Sequence, residues 1–139
     1  MLTEKDYCDY ETCAALKELG YNEKTLAYYT SEGFFHWVRA YIYDVAIPDL
    51  ANSSNKKPYK HIIDAMSLYE AQKWLREEKG IEVVVLGEKE IGGPYYADIY
   101  TESGYAGYVH KPCEKYEEAL SEGVRASIKI LQDEQKENN

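Results

Sequence analysis

The sequence predicts an α+β protein: an N-terminal helix and hairpin, then a helix, a three-stranded antiparallel meander and a C-terminal helix packed on that sheet. Three observations carry this. Residues 67–86 read as one helix-then-strand unit, with Ser67 and Glu70 at capping-box spacing and the Ile81–Leu86 run rich in β-branched residues. Gly92-Gly93 and Ser103-Gly104 then cut the following residues into strand-length pieces. Finally, Tyr116, Leu120, Val124, Ile128 and Leu131 recur at helical spacing near the end.

Taken in order, the first predicted helix spans 9–19, with Asp9 as its cap and Gly20 as its end. Aromatic and β-branched residues over 25–30 and 34–43, joined by Ser31-Glu32-Gly33, predict a hairpin, although 38–45 also suits a helix. Residues 48–58 read as a surface loop and hold the only basic patch. A short strand over 59–65 leads into the second helix, whose side formed by Leu68, Ala71, Trp74 and Leu75 is to be buried, ending at Gly80. The meander strands are 81–88, 95–101 and 105–110. The last helix runs over 114–132, where Gly123 marks a close approach to the sheet, and 134–139 is expected to fray. Leu75 and Val124 are both expected to be buried. Tyr10-Glu11 and Leu16-Lys17-Glu18 recur as Tyr69-Glu70 and Leu75-Arg76-Glu77, a pattern that either a duplicated unit or shared helix-start preferences would give.

A chain of 139 residues is most simply one domain, 1–139, with candidate sub-units 1–44 and 59–135 joined by a loop over 45–58. Its net charge of −9 disfavours phosphate backbones and anionic membranes, whose binding rests on clustered Lys and Arg. No nucleic acid or membrane partner is therefore expected, whereas a basic protein fits. No apolar run approaches a bilayer span, the start lacks a signal-peptide core, and Cys8, Cys13 and Cys113 form no disulfide pattern, so the cytoplasm is the expected setting. Fifteen tyrosines against two phenylalanines suit half-buried strands and contact surfaces alike.

No constellation carries recognisable chemistry. His36, His61 and His110 fall in three separate predicted strands without zinc spacing. His61 and Asp64 are offset onto opposite strand faces. Cys113 near His110 lacks a positioned base and an oxyanion site, and Gly92-Gly93-Pro94 is too short to cradle phosphate. No catalytic, cofactor or metal residue is assigned. The candidate interaction surface is the carboxylate row Glu117, Glu118 and Glu122 on the last helix, although a solubilising role for the charge is the simpler account.

The order helix, three strands, helix from Ser67 onward resembles the double-stranded RNA-binding domain. The start of its second helix should carry phosphate-gripping Lys and Arg, but here reads Lys111-Pro-Cys-Glu-Lys-Tyr-Glu-Glu, and acidic side chains outnumber basic ones two to one over 81–139. The meander followed by Tyr116-Glu117-Glu118-Ala119-Leu120 resembles the βββα unit of HicB-type antitoxins in pattern only. Residues 70–83, 116–124 and the early Ala-Leu-Lys-Glu-Leu-Gly-Tyr look like a group of small uncharacterised proteins of Bacteroides-type gut bacteria, their phages and mobile elements. That resemblance spans most of the chain outside 45–58 and implies no activity. The expected function is thus a non-enzymatic, acidic protein-interaction protein of mobile-element origin. The alternative is a small enzyme or ligand-binding domain whose site assembles only in three dimensions.

Overall fold

The computed structural model describes residues 2–38, 62–87, 94–109 and 111–138. The fold is α+β, with three α-helices and two three-stranded antiparallel sheets. Contacts divide the chain into two compact units, Met1–Ser67 and Leu68–Asn139.

In the first unit a short 3-10 turn (Glu4–Asp6) precedes α1 (Tyr10–Glu18). Asp9 caps α1 as expected, its Oδ1 accepting the Thr12 N–H at 2.8 Å. The helix ends in a Schellman motif: Gly20 sits at φ +112°, and the Tyr21 N–H reaches back to the Leu16 carbonyl at 2.9 Å. Strands β1 (Ala27–Tyr29) and β2 (Phe35–Trp37) form the expected hairpin, with Gly33 at positive φ in its turn. β3 (Ile63–Ala65) pairs with the free edge of β1, so the sheet order is β2-β1-β3. The expected continuation of the hairpin over 39–43, the loop over 45–58 and the strand start at 59–61 lie outside the described residues.

One face of this sheet holds an aromatic cluster. Phe35, Trp37 and Tyr29 share that face by register, and Tyr7 meets Phe35 and Trp37 edge-on at centroid distances of 5.3 Å. The Tyr29 hydroxyl donates to the Cys8 carbonyl at 2.7 Å, which satisfies its polar end inside the apolar packing. Several of the many tyrosines are therefore core residues.

The second unit opens with α2 (Leu68–Lys79), followed by β4 (Glu82–Gly87), β5 (Tyr95–Thr101), β6 (Gly104–Tyr108) and α3 (Tyr116–Glu137). The sheet is the expected meander, β4-β5-β6. Leu68, Ala71, Trp74 and Leu75 are buried on the side of α2 that packs against α3 and β4, and Val124 is fully buried on α3. Gln72 Nε2 donates to the Val83 carbonyl at 2.8 Å, tying α2 to an edge strand. The Gly92-Gly93 turn lies outside the described residues.

Helix α3 extends past its expected end at 132. It runs on to Glu137, because Gln132, Glu134, Gln135 and Lys136 are good helix formers that continue the turn without a breaker. The repeated Tyr-Glu and Leu-basic-Glu positions fall on α1 and α2, which both end on a positive-φ glycine and precede a three-stranded sheet. The two sheets are ordered differently, so the likeness is confined to the helices.

Small residues let α3 lie close on the sheet: Ala119, Gly123 and Ser127 form one buried stripe. A Cβ at Gly123 would stand 2.4 Å from Val83 Cγ1 and 3.0 Å from Ala97 Cβ, both buried and neither able to swing away. Gly123→Ala is therefore expected to lower stability in urea unfolding by about 1–3 kcal/mol, against the ordinary helix preference of about 1 kcal/mol for Ala. A stabilised variant would mean that α3 does not approach the sheet this closely. Among the described residues, no helix is long and apolar enough to cross a membrane.

Candidate functional site

Strand alternation decides what the meander shows to each side. Val83, Ala97 and Ile99 are buried, and α3 packs over the β4–β5 pair at Val83 and Ala97. The opposite face follows from the register: Glu82 opposes Tyr100, which opposes Tyr105; Val84 opposes Asp98; Leu86 opposes Tyr96. A β-bulge in the β5–β6 pairing brings Tyr105 beside Tyr100, with ring centroids 5.5 Å apart in an edge contact. Leu86, Tyr100 and Tyr105 are 49%, 39% and 57% exposed, and the rest of the face is half-buried. Among its described side chains, this face carries three tyrosines, two aliphatic side chains and two carboxylates, and no lysine or arginine.

The two carboxylates differ. Arg76 Nη1 approaches Glu82 Oε2 from the rim at 3.7 Å, too long for a hydrogen bond. That oxygen is withdrawn from water although the side chain as a whole is 40% exposed. Asp98 stands on the central strand between Tyr96 and Tyr100. Sequence reasoning passed over this face; its signal was the alternation Tyr96-Ala97-Asp98-Ile99-Tyr100, which already separates an apolar side from a polar one.

The three carboxylates singled out on the last helix all lie on α3 but in different settings. Glu117 is half-buried and Glu118 exposed in the first turn, where acidic groups favour the helix dipole. Glu122 accepts from both Lys111 Nζ and Arg125 Nη1 at 3.3 Å, so much of its charge is already offset.

In the first unit, Tyr28 lies between His36 and Asp64 in register, which places the three on one sheet face. The Tyr28 and His36 rings stack at 5.3 Å with a 22° interplanar angle. Asp64 is 8% exposed, and its Oδ1 has no hydrogen-bond partner. Burial raises its carboxyl to about 6, while Lys17 pulls it back down.

The thiols are all free and buried. Cys113 donates to the Lys111 carbonyl at 3.5 Å; burial first, then Glu118 and Glu122, raise its pKa, so its thiolate is disfavoured. His61 and His110 lie outside the described residues, and those residues contain no group of three or more His, Cys, Asp and Glu able to hold a metal. No family model matches the chain, and no curated protein or solved structure matches it.

Proposed function

We propose that this chain is a non-enzymatic, acidic protein-interaction protein of the cytoplasm that docks on a basic partner. The supporting observation is the open face of β4-β5-β6, where tyrosines and carboxylates stand together with no lysine or arginine among its described strand positions, Arg76 reaching Glu82 from the rim. Tyrosine offers contact area at low entropic cost, and the carboxylates select for positive charge. The α3 carboxylates belong to the same reading as a secondary, partly neutralised patch. A mobile-element origin rests on the motif resemblance alone.

Salt dependence tests the proposal. A captured partner is expected to be basic and to dissociate as ionic strength rises above about 0.1 M, where exposed charges are screened beyond about 10 Å. A partner whose affinity ignores salt, and survives Glu117→Gln, Glu118→Gln and Glu122→Gln together with Asp98→Asn, would end this reading.

One observation favours a second reading, a ligand site in the first unit: the unpartnered, buried Asp64 oxygen beside Tyr28. A ligand held there should raise the melting temperature of the wild type and leave Asp64→Asn unmoved.

A further inference from the structure

We infer that Asp98 is the floor of a socket for a lysine or arginine side chain carried by an extended segment of the partner protein. The inference rests on the docking function proposed above and assigns it a place. Asp98 sits on the middle strand, with Val84 across from it on β4 and the backbone of β6 on its other side. Among the described residues its side chain has no hydrogen bond or ion pair. Tyr96 and Tyr100 flank it at two residues' distance along the strand, about 7 Å to either side. The tyrosines beside a cation seated on Asp98 offer aromatic surface, which attracts a cation brought within about 6 Å of a ring centroid.

Charge complementarity selects the occupant. Asp98 is a half-buried carboxylate with a tyrosine on either side along its strand, and a cationic side chain complements it through a charge-assisted hydrogen bond. A metal ion needs several such ligands, and the face offers a lone central carboxylate. A nucleic acid would bring phosphates to a face that has carboxylates and no lysine or arginine among its described positions. An extended segment suits a sheet face, because its alternate side chains can meet Asp98 and then Glu82 or Leu86 along neighbouring rows. Arg76 at the rim contacts Glu82 and leaves Asp98 to the partner.

The test is a titration of the isotope-labelled full chain with a decapeptide of alternating Lys and Thr, followed by backbone amide NMR, with alternating Gln and Thr as control. Saturable shifts are expected at Val84, Tyr96 to Tyr100 and Tyr105 with the Lys peptide only. Asp98→Asn should weaken binding about tenfold, as loss of a charge-assisted contact does. Tyr100→Leu, which keeps apolar area but removes the ring, should weaken it about threefold. Glu77→Gln with Glu78→Gln, exposed on α2, should change it less than about twofold. Far-UV circular dichroism confirms that each variant is folded. If the Lys peptide binds but shifts the amides of 117–122, with Asp98→Asn unchanged, the socket is refuted while the docking function stands. If it binds no better than the Gln peptide at low salt, both fall.

Discussion

Leu75→Ala is expected to lower the free energy of unfolding by about 2–5 kcal/mol, the cost of lost burial plus the cavity left behind. Leu75 is fully buried on the side of α2 that packs against α3 and β4, in the same layer as the fully buried Leu120, Val83 and Val124. That layer cannot collapse easily around a void, because Gly123 already holds α3 against Val83 and Ala97. The measurement can be confined to the right unit. Each unit contains one of the two tryptophans, Trp37 in the first and buried Trp74 in the second, so a Trp37→Phe background lets fluorescence report on α2 and its surroundings. Leu86→Ala, on the open sheet face, is the matched control and should fall within about 0.5 kcal/mol of wild type. Equal effects at Leu75 and Leu86 would show that the α2 side is wrongly assigned.

The contrast between Leu75 and Leu86 also shows what the sequence could disclose. The second unit was legible because its signals are local: a helix with a one-sided apolar pattern, glycine at its end, strands of alternating character, and a final helix with an apolar stripe. The first unit was less so. Its β3 is three residues long and joins β1 from more than thirty residues away, and no short-range pattern encodes that pairing. The candidate surface was least legible. Glu117, Glu118 and Glu122 draw the eye as a cluster in the sequence, yet Lys111 and Arg125 converge on Glu122 in the fold. Asp98 is a lone carboxylate between tyrosines, and only the register across three strands shows what surrounds it. The burial of Asp64 is likewise tertiary, because its strand neighbours Ile63 and Ala65 would place any residue at 64 on the opposite face.

Asp64→Asn is expected to stabilise the protein near pH 7.5 and to leave it nearly unchanged near pH 4. The folded state raises the Asp64 carboxyl to about 6, chiefly by burial and despite Lys17. In the unfolded chain the same group titrates near its ordinary value of about 3.9. Between those two values the folded protein holds a proton that the unfolded chain has released, so stability falls as pH rises through this window and then levels off above it. The ionised carboxylate thus costs about 2–3 kcal/mol at neutral pH, and the neutral amide of asparagine avoids that cost. Because the amide brings N–H donors of its own into a site where Oδ1 lacks a partner, the net gain near pH 7.5 is expected at about 1–3 kcal/mol. Urea unfolding of wild type and variant across this range isolates the effect, since every other carboxylate contributes equally to both proteins and cancels in the difference. A difference between the two that stays constant from about pH 4 to about pH 7.5 would mean that Asp64 is solvated in the folded state. It would also remove the observation that favours a ligand site beside Tyr28, because a carboxylate already served by water has no need of a partner.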